Sequence, residues 1–337
     1  MADDVGPLCE RLLAGDRRAL ARLLTLVEDG PPEVHRAVVA LLHPRRRGAR
    51  LLGVTGPPGV GKSTLTNALV GRLRGLGRRV AVLAVDPSSP LTGGALLGDR
   101  IRMQEHHADA DVFVRSMAAR GHLGGLAAAA PEAALVLDAA GFDDVIIETV
   151  GVGQSEVDVM GVVDAVAVVL APGLGDSVQA AKAGVLEIAD VLVVNRADQS
   201  GAGRLESELR TMLEVGHAAR PAGSPDDAPE VIRTVAVRGE GVDAVLDALA
   251  ARAAREAADD RELRRARRWI AELALGRLRR ELADAGSPVG ARLDELAARV
   301  AAGRSDPAEA ADRLLADAGG DAGVTGDDAG GGGSDRG

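Results

Sequence analysis

"LLGVTGPPGVGKST", residues 51–64, decides the fold. A short apolar run ends in Thr55, a glycine-rich loop follows, and "STLTNALVGRLRGLG" continues as a helical stretch. The loop "GPPGVGKST" (56–64) has the G-x-x-x-x-G-K-[ST] spacing of a phosphate cradle. Gly59 and Gly61 let backbone N–H groups turn inward around phosphates, with Gly56, Pro57, Pro58 and Val60 completing the turn. Lys62 supplies a compact positive charge at the β/γ positions, and the helix N-terminus adds a partial one. Ser63 offers a hydroxyl to Mg2+, with Thr64 beside it. A strand before the loop and a helix after it are what a nucleotide site needs.

Of 40 basic residues only two are lysine, Lys62 and Lys182. An arginine at 62 would be larger and planar, so a lysine kept there marks a position that needs a point charge. The 337 residues are 46% apolar, with no Tyr, one Trp (Trp269) and two Phe (Phe113, Phe142). Val, Leu, Ile and Ala must therefore fill the core, a palette that suits a parallel sheet covered on both faces by helices. The net charge of −10 argues against general nucleic-acid binding. The single cysteine, Cys9, excludes an internal disulfide and fits a reducing compartment. "MADDVGPLCERLL" lacks the basic-then-apolar layout of a signal peptide, and no apolar run reaches the roughly 18 residues of a membrane span. The expectation is a soluble cytoplasmic protein.

Along the chain, residues 1–48 read as an N-terminal helical segment, with Asp16 as N-cap of "RRALARLLTLVEDG" and a basic connection at 43–50. Residues 49–254 alternate apolar runs with helical stretches. The strand candidates are 51–55, 80–85, 144–149, 164–171, 190–195 and 231–237, most of them continuously apolar. This predicts a doubly wound α/β fold with a mostly parallel sheet and a ligand site at the carboxyl ends of its strands. Residues 255–317 return to helix, with Leu263, Ile270 and Leu273 as an apolar stripe beside Trp269, and 318–337 read as a disordered Gly/Asp tail.

Asp86 ends the run "VAVLAV" and is placed to hold Mg2+ or its waters; capping a turn before Pro87 is the other use of such a residue. Asp99, between Gly98 and Arg100, is a weaker candidate for the same ion. In "IIETVGVGQSE" (146–156), Glu148-Thr149-Val150-Gly151 stands where many GTPases carry D-x-x-G. Glu148 could reach Mg2+ through a water, Gly151 could sense the γ-phosphate through its N–H, and Gln154 could orient the attacking water. Farther on, "VLVVNRADQS" (191–200) ends an apolar run in Asn195-Arg196-Ala197-Asp198, close to the N-K-x-D that reads guanine. The Asp198 carboxylate can accept from guanine's ring N–H and exocyclic amine, and adenine offers neither. Arg196 has a stem comparable to lysine's and a planar head that can stack. Val235 and Ala236, at the end of the last strand candidate and followed by Val237, stand where many GTPases carry the Ser-Ala whose backbone N–H meets the guanine oxygen.

With "GPPGVGKST", "VDPSSPLTGGALLGDRIRM", "VFVRSMAARGHLGGLA", "LDAAGFDDVIIETVGVGQSE", "PGLGDSVQAAKAGVLEIAD" and "NRAD" in this order, the chain resembles the MeaB/ArgK family, the methylmalonyl-CoA mutase-associated GTPases. The resemblance covers about residues 10–317 and departs at Arg196 and Val235. It implies a P-loop GTPase core binding GTP or GDP with Mg2+, and a homodimer formed through the C-terminal helical arm. It also implies a chaperone that gates adenosylcobalamin loading and protects or reactivates a B12-dependent acyl-CoA mutase, with cobalamin adenosyltransferase as a further partner. In the family pattern Asp86, Asp99 and Glu148 match carboxylates around Mg2+. Residues 172–184, with Gly173, Asp176, Gln179 and Lys182, match an extra switch loop that signals to the mutase.

Two other readings share the core. A small-molecule kinase, or an ATPase linked to basic amino-acid transport, needs an acceptor pocket or membrane segment that the sequence does not display. A metallochaperone GTPase usually advertises a His-rich tract or Cys pair; the six His here are dispersed apart from His106-His107, and Cys9 is alone.

Overall fold

The computed structural model describes residues 4–86, 108–118, 125–149, 160, 163–173, 188–218, 228–255 and 258–320. Its centre is a seven-stranded sheet: β1 (Arg50–Thr55), β2 (Val80–Asp86), β3 (Val112–Ala118), β4 (Asp144–Thr149), β5 (Ala165–Leu170), β6 (Val191–Val194) and β7 (Glu230–Arg233). The order is β3-β2-β4-β1-β5-β6-β7, and every paired neighbour is parallel. β1 lies between β4 and β5, while the connection leaving it leads to β2, beyond β4. The chain thus changes direction around the carboxyl end of β1, where α/β sheets open a ligand crevice.

Helices cover both faces, as the apolar strands require. One face packs against α1 (Val5–Leu13), α2 (Arg17–Asp29), α3 (Pro32–Leu42), α5 (Gly125–Ala139) and α6 (Ala202–Ala218). The other packs against α4 (Lys62–Gly75) and α7 (Val242–Ala254). Alternate residues of β1 divide between the faces: Leu51 with the first set, Leu52 and Val54 with the second. The predicted N-cap of α2 forms, with Asp16 Oδ1 accepting from the N–H groups of Arg18 and Ala19. Cys9 is buried in α1, and burial pushes its thiol up to about 11, so it stays protonated. No helix among the described residues is long and apolar enough to cross a membrane.

Two differences from the sequence reading have physical causes. β3 was not among the strand candidates, because Arg115 and Ser116 interrupt its apolar pattern. It is an edge strand, and the Arg115 guanidinium reaches α2, where Nη2 donates to Thr25 Oγ1 at 3.0 Å and Glu28 Oε2 at 2.9 Å. The last strand, expected to run to 237, stops at Arg233. Val235 makes an isolated antiparallel bridge with Glu240, and Ala236–Arg238 forms a 3-10 turn.

The contacts divide the chain into two units, Met1–Leu273 and Ala274–Gly337. The long helix α8 (Ala258–Ala283) runs through the boundary. Within the second unit, α9 (Pro288–Ala301) is capped by Ser287, whose hydroxyl accepts from the Gly290 N–H, and α10 (Pro307–Gly320) is tied to α9 by Arg292 and Asp317 at 2.8 Å.

At the amino end of the sheet, the fully buried Asp144 accepts from Arg50 Nε at 2.7 Å and from Arg78 Nε. Replacing Asp144 with Ala should strand both guanidinium groups and lower the unfolding free energy by about 3 kcal/mol. Urea denaturation followed by circular dichroism measures it, and an unchanged midpoint would show that the pair contributes nothing.

Candidate nucleotide site

The loop 56–61 leaves the carboxyl end of β1 with three glycines at positive φ: Gly56 (+144°), Gly59 (+79°) and Gly61 (+97°). Two of them are also required by space. A Cβ on Gly56 would stand 2.1 Å from the carbonyl oxygen of Val169 in β5, and one on Gly61 would stand 2.5 Å from Asn195 Nδ2. The loop is therefore pressed against both β5 and the end of β6, and its path is fixed before any ligand arrives.

Lys62 begins α4 and is only 6% exposed. Its Nζ donates to the carbonyls of Gly56 at 2.8 Å and Pro57 at 2.9 Å, so the ammonium is held within the loop rather than in solvent. Ser63, the next residue, donates from Oγ to Glu148 Oε1 at 2.6 Å. Glu148 comes from β4, whose register sets it opposite Val54 of β1, and both Ser63 and Glu148 are buried. Beside them Thr149 Oγ1 donates to Thr55 Oγ1 at 2.8 Å. The sequence-distant Ser63 and Glu148 thus meet at the head of the phosphate loop.

A hydroxyl and a carboxylate oxygen side by side are hard donors of the kind Mg2+ takes, one or two from protein and the rest from phosphate and water. Among the described residues no group of three or more His, Cys, Asp or Glu could hold a metal by itself. The Ser63–Glu148 pair fits Mg2+. Asp86 closes β2. Asp99, Gly151, Gln154, Asp176, Gln179 and Lys182 lie outside the described residues, and Gly173 follows β5 at φ +83°.

The base end is assembled around Asn195, 4% exposed at the end of β6. Its Nδ2 donates to the Val60 carbonyl at 2.9 Å. Its Oδ1 accepts from Thr234 Oγ1 at 3.0 Å and from the Ala236 N–H at 3.2 Å. One amide joins the phosphate loop, β6 and the turn after β7. Backbone bonds from Ala197 N to Thr234 O and from Thr234 N to Val194 O complete the junction. Arg196 adopts φ +55°, the only non-glycine residue at positive φ among those described, and its Nη2 donates to the Gly59 carbonyl at 2.5 Å. The head expected to be available for stacking is engaged with the phosphate loop. Asp198 is paired with Arg238 at 3.0 Å. Val235 and Ala236 are buried, and Val237 is exposed.

Sequence reasoning missed Thr234 and Arg238. Neither belongs to a motif, and what places them is the turn after β7. A cavity of about 310 Å3, lined by His43, Leu51, Leu135 and Trp269 among others, contains none of the expected site residues.

Comparison with known proteins agrees with this geometry. The sequence profile of the family described as Methylmalonyl Co-A mutase-associated GTPase MeaB matches residues 20–287. A protein of Caulobacter vibrioides, provisionally named a GTPase, is 41% identical over 326 residues, covering 93% of this chain and 97% of its own. GTPase ArgK of Escherichia coli is 45% identical over 191 residues, 56% of this chain and 58% of that protein. The crystal structure of a LAO/AO transport system kinase superposes with a TM-score of 0.68 at 27% identity, covering 94% of this chain and 97% of the other.

Asn195→Ala removes three hydrogen bonds at a buried junction and should weaken GDP binding at least about tenfold while lowering stability by about 2 kcal/mol. Isothermal titration and thermal melting read the two effects. Undiminished GDP affinity would show that the junction does not shape the site.

Proposed function

The chain belongs to the family of methylmalonyl Co-A mutase-associated GTPases, MeaB, and from that premise we propose a Mg2+-dependent GTPase that serves as chaperone to a B12-dependent acyl-CoA mutase. The observation that carries the nucleotide part of this reading is the Asn195 junction. Phosphate cradle and base-reading segment are fastened to each other through one buried side chain, so a ligand with phosphates at one end and a base at the other meets a pre-set span.

In this reading Lys62 places its ammonium against the β- and γ-phosphates, while the inward N–H groups of 56–64 carry the rest of their charge. Ser63 and Glu148 would hold Mg2+ or its waters, with Asp86 and Asp99 as further oxygen donors. Bound there, the ion would supply positive charge to the phosphates. Gln154 orients the attacking water, and Gly151 reports the presence of the γ-phosphate. Asp198 selects guanine, Arg196 fixes the segment to Gly59, and the backbone of 235–237 meets the guanine oxygen.

The nucleotide state would be transmitted through residues 172–184, including Lys182, to the mutase, gating adenosylcobalamin loading and rescuing the inactivated enzyme. The homodimer, the C-terminal arm as its interface, cobalamin adenosyltransferase as an additional partner and a cytoplasmic setting belong to the same proposal. The family's own description, which names methylmalonyl Co-A mutase, supports the link, and so does the name of one relative, a mitochondrial methylmalonic aciduria type A homolog of Caenorhabditis briggsae, 36% identical over 72% of this chain and 62% of that protein.

Titration of GTP, GDP and ATP against the purified chain should give tight binding of the guanine nucleotides only, and equal affinity for ATP would remove the guanine assignment. Lys62→Ala should abolish nucleotide binding, since it deletes the one compact charge in the cradle. Lys182→Ala should leave binding intact and blunt the stimulation of hydrolysis by an added mutase; normal stimulation would sink its signalling role.

A further inference from the structure

Asp198 has one side-chain partner among the described residues, and that partner is itself anchored. Arg238 donates from Nη1 to Asp198 Oδ2 at 3.0 Å, while its Nε and Nη2 donate to the two oxygens of Glu240 at 2.6 and 3.2 Å. The guanidinium is thus held along one edge by Glu240 of the turn after β7 and reaches Asp198, after β6, with its remaining nitrogen. That turn is stiff. Val235 N–H bonds to the Glu240 carbonyl at 3.0 Å, and Gly239 and Gly241 take φ +71° and +74°. A Cβ on Gly241 would stand 2.1 Å from the Arg233 carbonyl, so the return of the chain has one path. The side chain of Val235 brings no donor, and Ala236 and Val237 bring none, so Arg238 is the residue of this turn whose side chain reaches the carboxylate.

We propose that Arg238, braced by Glu240, is a positioning residue for base selection, aligning the Asp198 carboxylate so that it accepts both guanine donors at once. The inference rests on the reading of Asp198 as the base reader. A carboxylate offers about four lone-pair sites, Arg238 takes one, and guanine's ring N–H and amine need two. The arginine therefore stays in place when the base docks and does not compete with it. Without it, Glu240 and Asp198 face each other as like charges and the carboxylate is free to rotate. Arg238 and Asp198 are 49% and 42% exposed, so their pairing adds little to the stability of the fold. A docked base would exclude water from one side of the same carboxylate, where the contact strengthens. The contribution belongs to selectivity rather than to folding.

The test uses the full chain and displacement of a fluorescent GDP analogue by GDP, IDP and ADP, since the hypoxanthine of IDP keeps the ring N–H and lacks the amine. Arg238→Ala should weaken GDP about tenfold and shrink the preference for GDP over IDP, with ADP affinity and melting temperature unchanged. Glu240→Gln should move GDP affinity and the GDP/IDP ratio the same way by a smaller factor, and Arg238→Lys should restore part of both. In an Asp198→Asn background, Arg238→Ala should add nothing further, because the two act through one carboxylate. If Asp198→Asn itself keeps the guanine preference, the base reader lies elsewhere and the underlying reading fails. If Asp198→Asn loses that preference while Arg238→Ala keeps it, or binds GDP more tightly, the positioning role alone is overturned.

Discussion

The buried amide of Asn195 is the interaction on which the candidate site depends. A parallel sheet delivers its loops side by side but does not by itself fix the distance between the loop after β1 and those after β6 and β7. Asn195 does so with a donor on the Val60 carbonyl and an acceptor for Thr234 and Ala236. Its amide carries a donor nitrogen and an acceptor oxygen side by side at the end of one short stem, so it can serve both sides of the junction at once. Gly61 is glycine partly for the same reason, since a Cβ there would collide with this amide.

The two ends of the sheet use acidic residues in opposite ways. At the amino ends, carboxylates are consumed by structure: Asp144 by two arginines, Asp164 by the Leu51 N–H at 2.8 Å, Asp190 by the Val166 N–H at 2.8 Å and Arg252 at 2.6 Å. Asp138 likewise accepts from the N–H groups of Arg47 and Ala49. These bonds satisfy strand-end donors and fix register where no ligand is expected. At the carboxyl ends, Glu148 meets the Ser63 hydroxyl, and Asp198 is half exposed, with lone pairs to spare. That asymmetry follows from the parallel β-loop-α order, in which the carboxyl end of a strand leads into a helix N-terminus and so gathers the positive ends of helix dipoles there.

Much of this was legible in the sequence because it is written locally. The phosphate loop is a contiguous motif between a strand and a helix, and continuous apolar runs identify buried parallel strands with little ambiguity. β3 escaped because its polar Arg115 is paired with a helix about 90 residues away in sequence, which no local pattern reveals. The early end of β7 escaped for a related reason. Apolarity at Val235–Val237 reads as strand, but Gly239 and Gly241 allow the chain to turn back onto Val235 and stop the ladder. Thr234 and Arg238 were invisible because their meaning depends on what β6 brings to meet them.

The arginine in place of the usual lysine at 196 can be judged by what each cation touches. Lys62 is buried and directs one nitrogen at two carbonyls, 2.8 and 2.9 Å away, inside a loop with no room for a Cβ on either flanking glycine that limits it. A planar five-donor fork there would leave several N–H groups buried and unsatisfied, at a cost that grows with each one. Arg196 is half-buried, and the contact it makes is a single donation to the Gly59 carbonyl. None of its donors is among the buried groups left without a partner. A chain whose basic residues are nearly all arginine can therefore carry one at 196 and not at 62. The arginine that makes the N-K-x-D-like motif look imperfect reports the difference between a half-buried strut and a buried point charge.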